Sequence, residues 1–484
     1  MEETEVEHLA QHAVDVMKRC GVEYGDVRFV AEREQDIAVS NGDVQTLTDE
    51  QSRGFGVRVL AGGSWGFHSS CETSEAEIER VVRQACAIAA ASAQVADEPV
   101  RLAAVEACRG EYTTPHQTDP FEVPLAVKLD VLIAASRKMM GDPVVLAQSF
   151  FAAYETVKVF ASTEGALVRQ RIVETGGGIA ATAVRDGDMQ VRSYPNSFRG
   201  NFATAGYEYF ETMAVASHAE RVRREAIELL SAPQCPSGRR TVILEGGQLA
   251  LQVHESIGHP IELDRVIGME SAYAGDSFLT LDKLNTLQYG SSLVNVVADA
   301  TVPGGLGTFG YDDEGVPAQR TPIITEGRFV GYMSSRETAP IIGQTSSGTM
   351  RASSWSRIPL IRMTNVNLLP QQGTLDELIA DTADGLLLAT NRSWSIDNKR
   401  LNFQFGTEVA WEITGGKLGR MFKNPTYTGV TPEFWNSCDA VCGPSEWRLF
   451  GTPNCGKGQP SQTAHVGHGV APARFRNVEV GVMK

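Results

Sequence analysis

The sequence predicts an α+β chain in two parts. Residues 1–235 read as an N-terminal α/β domain with a mixed sheet and helices. Residues 236–484 read as a C-terminal antiparallel, barrel-like β domain that carries a histidine-bearing helix. Three observations predict this. In the first half, stretches with apolar residues at helical spacing alternate with stretches of strand character. In the second half, many short strand-like runs are punctuated by Gly and Pro, the pattern of a closed or nearly closed antiparallel sheet. Between them, Ser231–Arg239 holds Pro233, Cys235 and Pro236, a break suited to a domain boundary.

Taken in order, Leu9, Ala13, Val16 and Met17 give a helix over Val6–Cys20 that Gly21 closes. Asp26–His68 predicts a strand meander with a hairpin turn at Asn41-Gly42. Ile78, Val81, Val82, Ala85 and Ile88 share one face of a helix over Ser74–Ala96. Pro99–Pro120 reads as a connecting loop, and Leu125–Met140 as a third helix. Val144–Pro195 is strand-rich, with a bend or bulge expected at Gly176-Gly177-Gly178 and a turn at Asp186-Gly187. Val215, Ala219, Val222, Ala226 and Leu229 predict one long helix over Phe210–Leu230. The second half opens with a buried strand, Arg240–Leu244, that leads into a helix. Further strands are expected at Val294–Ala298, Arg328–Met333, Leu360–Asn367 and Phe403–Ile413, with one helix near Leu375–Asp384.

Composition narrows the function classes. The chain has 484 residues and a formal net charge of −16. So acidic a chain argues against unspecific nucleic-acid binding and against docking on an anionic membrane surface. It contains no apolar run of about 18 residues, so no membrane-spanning helix is expected. The eight cysteines, without a secretory pattern at Met1–Glu5, suggest reduced thiols and a cytoplasmic location.

The chemistry gathers at His254-Glu255-Ser256-Ile257-Gly258-His259-Pro260. H-E-x-x-x-H is one residue longer than the zinc-peptidase motif, in which two histidines one turn apart hold a metal and the Glu serves as base. A spacing of five turns the second ring about 140° round an ideal helix, so the helix must change for both rings to meet. Two changes suffice. Either the helix over Gln248–Ile257 stops at Gly258, Pro260 pushes His259 from the α region, and His259 folds back from an exit strand; or a π-turn closes the gap. A polar helix end is the competing reading. Cys455, in Gly451–Gln459, offers a third ligand whose thiolate Lys457 would favour. The plainer reading of the residues alone is a loop cysteine without a role.

Other motifs are weaker. Gly305–Gly310 matches G-x-G-x-x-G, but Tyr311–Pro317 will not start a helix, so a glycine loop is expected. Asp312-Asp313-Glu314 reads as a solvated acidic turn, a cation site being the alternative. Cys438 and Cys442 could join Cys455 in a structural zinc site but lack a fourth ligand, and unpaired cysteines are expected. His465 and His468, three apart, read as loop histidines.

The ordered set of these pieces resembles the TldD/PmbA family of zinc metallopeptidases, the TldD branch in particular. It includes Asp26-Val27-Arg28, Gly54–Val59, His254–His259 followed by Glu262 and Asp264, Asp312–Gly315, Arg362–Asn365, Asn424-Pro425 and Cys455–Gln459. The resemblance implies one Zn²⁺ per chain on His254, His259 and Cys455, with Glu255 as the catalytic base. It also implies peptide substrates, unfolded peptides or peptide natural products, cleaved inside a closed dimer cavity. The dimer would be a homodimer or a heterodimer with a PmbA/TldE-like subunit. A metal-binding subunit active only with such a partner, and a non-catalytic peptide-binding modulator, are the alternatives. One departure is Pro260, which stands where many TldD sequences carry Gly.

Overall fold

The computed structural model describes residues 3–197 and 200–481. The first half is built on one eight-stranded sheet. Its strands are β1 (Tyr24–Ser40), β2 (Asp43–Ala61), β3 (Ser64–Ser70), β4 (Arg109–Thr113), β5 (Val144–Ser162), β6 (Leu167–Arg185), β7 (Asp188–Tyr194) and β8 (Asn201–Ala203). The order is β3-β2-β1-β5-β6-β4, with β7 and β8 also paired to β6. The sheet is mixed because β4 runs parallel to β6. The foreseen hairpin turns fold as expected: Asn41-Gly42 and Asp186-Gly187 both take left-handed φ values.

Alternation along β1 decides what each face does. Val27 and Phe29 point into a core shared with helices α1 (Glu3–Arg19) and α2 (Glu75–Ser92). Farther along, Ile37 and Val39 meet α3 (Leu125–Met139), α4 (Tyr207–Met213) and α5 (Val215–Ser231). Arg28, one residue out of phase, points to the opposite side and reaches the second half of the chain.

Three expectations are corrected here. The stretch Pro99–Pro120 is not all loop, since it contains β4. Gly176–Gly178 form no bulge but lie in unbroken pairing with β5. Glycine is needed there for close approach: a Cβ on Gly176 would sit 2.3 Å from the Asn201 carbonyl, and one on Gly177 2.4 Å from that of Phe150. The long helix breaks in two at Ala214, which is left-handed at φ 46° and ψ 44°.

The second half contains β9 (Gly238–Leu244), α6 (Gly246–Val253), α7 (Leu263–Val266), β10 (Val296–Asp299), β11 (Arg320–Thr325), β12 (Arg328–Phe329), β13 (Met350–Arg351), β14 (Leu360–Ile361) and β15 (Val366–Leu368). It continues with α8 (Leu375–Ala380), β16 (Asp384–Ile396), β17 (Asn402–Thr414), β18 (Lys417–Phe422), β19 (Thr426–Val430), α9 (Thr431–Asn436), β20 (Cys438–Val441), β21 (Arg448–Lys457), β22 (Gln462–Val470) and β23 (Ala473–Gly481). Five strands close a barrel in the order β16-β9-β23-β19-β17, with β17 returning to β16. The expected antiparallel barrel is present, with one parallel pair, β9 with β16. The long excursion between those two strands supplies the crossover that a parallel pair requires. A smaller sheet, β12-β11-β10-β15, and the hairpin β21–β22 pack beside the barrel.

The acidic turn is also corrected. Asp312, Asp313 and Glu314 are fully buried rather than solvated. Asp313 meets Arg28 at 3.4 Å and also holds Lys158. Arg58 bridges Glu314 at 3.3 Å and Asp26 at 2.7 Å. Cations from the first-half sheet thus neutralise carboxylates of the second half. Gly305–Gly310 is the loop expected. Among the described residues no helix is long and apolar enough to cross a membrane.

Candidate metal centre

Helix α6 starts where Glu245 accepts a hydrogen bond from the Gly247 N–H, and nearly all of it is buried. Its end carries the motif. Residues His254–Gly258 form a π-turn, in which the His259 N–H bonds to the His254 carbonyl at 3.1 Å. Of the two ways to close the five-residue gap, the π-turn is the one found. The exit-strand alternative is corrected: His259 keeps helical angles, φ −67° and ψ −42°, despite Pro260. Gly258 does not end the helix either. It makes room for Met363, whose Sδ would lie 2.2 Å from a Cβ there. The wider turn brings the two imidazoles within 4.9 Å, centroid to centroid, at 89°.

Cys455 arrives from the far end of the chain. It is not a loop cysteine but sits on β21, opposite Ala464 of β22 and next to a bulge at Pro453-Asn454. Its Sγ is 3.7 Å from His259 Nε2. One donor atom each from His254, His259 and Cys455 lies within 4.8 Å of the others, and all three side chains are buried. Burial holds His254 below its ordinary value and His259 well below it. Burial raises the Cys455 thiol, but His259 and the Arg362 guanidinium outweigh this, and the thiol falls below its ordinary value. Two imidazoles held below their ordinary value beside a thiol also shifted toward ionisation make a donor set that suits a divalent ion such as zinc. Lys457 does not act on the thiol as expected; it is buried on Asp264 at 2.7 Å and Glu262 at 3.4 Å.

Glu255 opens into a cavity of about 260 Å³ shared with His254, His259, Cys455, Trp394 and Arg400. Arg400 Nη1 donates to Glu255 Oε2 at 2.6 Å. A larger cleft of about 550 Å³, between the two halves of the chain, adjoins it at Asn454.

Sequence reasoning gave no positioning role to the residues that hold the candidate donors. His259 Nδ1 is 3.0 Å from Glu262 Oε2. His254 Nδ1 is 2.8 Å from Nε2 of His468, and His468 Nδ1 is 3.1 Å from the Val366 carbonyl. The loop reading of His465 and His468 is therefore corrected. Both lie on β22, on opposite faces, and His465 pairs with Glu174 at 2.6 Å. Arg400 carried no local signal, and neither did His468. Cys438 and Cys442 are free thiols, as expected, and stand apart from the donor group.

Fold and donor set define a class: an α+β chain whose barrel half presents two histidines, a cysteine and an adjoining glutamate in one cavity. Family models give the class its name. The PmbA/TldA metallopeptidase domain 1 matches residues 25–89, the central domain 118–230 and the C-terminal domain 237–481. The chain belongs to the PmbA/TldD family of metallopeptidases. It is 28% identical to a metalloprotease of Methanocaldococcus jannaschii, over 92% of this chain and 94% of that one. It is 26% identical to a TldD homolog, also named a metalloprotease, of Haemophilus influenzae, over 96% and 94%. A TldD homolog of Saccharolobus solfataricus, 21% identical over 95% and 97%, is named a zinc metalloprotease. Among solved structures, TldE from Thermococcus kodakarensis shares the fold with a TM-score of 0.74 at 14% identity, over 99% of this chain and all of that one.

Proposed function

We propose that this chain is a zinc-dependent peptidase in which His254, His259 and Cys455 hold one Zn²⁺ and Glu255 is the base. The observation that carries the reading is the convergence of three donors from distant parts of the sequence within 4.8 Å, beside a carboxylate that opens into the same cavity. When bound, the ion supplies Lewis acidity, polarising a peptide carbonyl and acidifying a water. The remaining work falls to side chains. Glu255 takes the proton from the attacking water and delivers it to the leaving amine. Arg400 aims the Glu255 carboxylate. Glu262 and His468 fix the two imidazoles.

The cavity is too narrow for a folded protein, so the substrates in this reading are unfolded peptides or peptide natural products. They enter along the cleft between residues 1–235 and 236–484 and are cut inside a closed cytoplasmic dimer. A second form of the proposal has activity that needs a TldE-type partner rather than a second copy of this chain. A non-catalytic modulator would have no use for a complete donor set beside a base.

The test is metal content per chain in wild type and Cys455→Ser, followed by peptide digestion with Glu255→Ala. About one zinc per wild-type chain, weakened in Cys455→Ser, and a Glu255→Ala variant that keeps its zinc but not its turnover are expected. Zinc retained equally in Cys455→Ser removes Cys455 from the site. Digestion by Glu255→Ala at the wild-type rate removes Glu255 as base.

A further inference from the structure

We propose that His468 is a positioning residue that selects the metal-binding tautomer of His254. The proposal rests on the reading of His254 as a metal ligand. It follows from a chain of hydrogen bonds whose direction is forced at one end. The Val366 carbonyl can only accept, so the His468 Nδ1 that lies 3.1 Å from it carries a proton. In a neutral imidazole the other nitrogen then has only a lone pair. That nitrogen, Nε2, lies 2.8 Å from His254 Nδ1, so His254 donates to it through Nδ1–H. The proton of His254 is thereby fixed on Nδ1, and Nε2 is left with the free lone pair that a ligand needs. In the opposite tautomer, Nε2 would carry the proton and could not bind a metal.

The second histidine is fixed in a different way. His259 Nδ1 faces the Glu262 carboxylate at 3.0 Å, and its Nε2 points toward Cys455. The chain thus uses one anionic and one neutral holder. A second carboxylate in place of His468 would add negative charge to a buried site that already contains Glu255, Glu262 and a readily ionised thiol. His468 orients the ring without adding charge.

The placement of His468 is well supported. β22 carries it next to Gly467 and Gly469, whose N–H groups bond to the Thr364 carbonyl at 3.1 Å and to Asn367 Oδ1 at 2.6 Å. A Cβ on Gly469 would lie 1.8 Å from the Trp447 ring, so glycine lets the strand seat closely. The same β21–β22 hairpin supplies Cys455. One element therefore delivers both a donor and the group that prepares another donor.

The experiment measures zinc affinity by competition with a chromophoric chelator in wild type, His468→Leu and His468→Gln, with the thermal midpoint of each metal-free protein as a folding control. Leu cannot accept the His254 proton, whereas the Gln side-chain oxygen can. His468→Leu is expected to bind zinc about 10- to 100-fold more weakly, the usual cost of losing an orienting partner. His468→Gln is expected to recover most of the difference. In parallel, ¹⁵N NMR of the histidine rings in the metal-free wild type should find His254 protonated at Nδ1. This measurement needs no variant and decides the matter even if His468→Leu fails to fold. Equal zinc affinity in wild type and His468→Leu, no rescue by Gln, or a proton on His254 Nε2 would each overturn the role given to His468. A wild type with no zinc affinity would overturn the metal reading itself, which is a different failure from the three above.

Discussion

Asp313 gives the sharpest test of how the two halves of the chain are joined. Its carboxylate is fully buried and takes three partners: Arg28, Lys158 and the Ala352 N–H at 2.7 Å. Asp313→Ala leaves Lys158 without its closest counter-charge. Among the described residues Arg28, 1% exposed, keeps the Arg357 carbonyl as its hydrogen-bond acceptor. Breaking one side of a buried ion pair costs about 3–5 kcal/mol, chiefly because the surviving charge stays buried. Asp313→Asn retains an oxygen for Ala352 and loses only the charge, so its loss should fall below that range. Burial would raise the Asp313 carboxyl, but Lys158 and Arg28 overcome it and hold the group below its ordinary value. A depressed folded-state value means that the contribution is complete above the unfolded carboxyl value of about 3.9 and is lost as pH falls through the folded value. Urea unfolding at pH 7.5 should therefore find the full gap between wild type and Asp313→Asn, and the gap should shrink below about pH 4. A loss under about 1 kcal/mol in Asp313→Ala, against the 3–5 expected, or a gap that widens on acidification, would refute the reasoning.

Other perturbations follow from the same geometry. Arg400→Ala frees the Glu255 carboxylate to rotate; kcat on a peptide substrate should fall by about 10-fold or more with zinc content unchanged, since a base gains its effect from placement. An unchanged kcat would separate Arg400 from catalysis. Ala214→Gly relieves a left-handed residue between α4 and α5 and should stabilise the chain by about 0.5–1 kcal/mol in urea titration. A loss of stability would mean that the Ala214 methyl group contributes more than the strain costs. Zinc in excess over its dissociation constant should raise the thermal midpoint of wild type, by about 2.7 kcal/mol of stability at a hundredfold excess, and much less in Cys455→Ser. Equal shifts in both proteins would place the binding elsewhere.

Much of this was legible in the residues, for reasons that differ from place to place. Asn41-Gly42 and Asp186-Gly187 announced their hairpins because left-handed turn residues are a local demand. The motif at His254 gave away its own geometry, since a five-residue gap can be closed in few ways. Pro260 misled because its bias on His259 is weaker than the packing of the π-turn around Met363. The Ala214 break left a sign that was missed: the buried residues step by only two from Met213 to Val215, out of helical phase, whereas the apolar spacing read for the helix began at Val215. His468 was hidden for a deeper reason. Its partners, His254 and Val366, lie some 100 to 200 residues away, and no local pattern encodes a contact of that kind. The acidic turn misled in the same way: its cations come from β1, β2 and β5, so its burial is a property of the assembled fold.

The place of β23 in the barrel sets an order of events during synthesis. β9 precedes the histidine-bearing helix and pairs on one side with β16 and on the other with β23. Some 230 residues separate β9 from β23, which at roughly 5–20 residues per second is on the order of 10 to 50 seconds of elongation. The eight-stranded sheet of the first half has all its strands by then and can fold while the ribosome is still working. The barrel cannot, because its first strand lacks a neighbour until residues 473–481 have emerged. Cys455 emerges shortly before that strand, so all three candidate donors are available only when the last barrel strand is nearly made. Until Cys455 emerges, the nascent chain holds only two of the three candidate donors, His254 and His259.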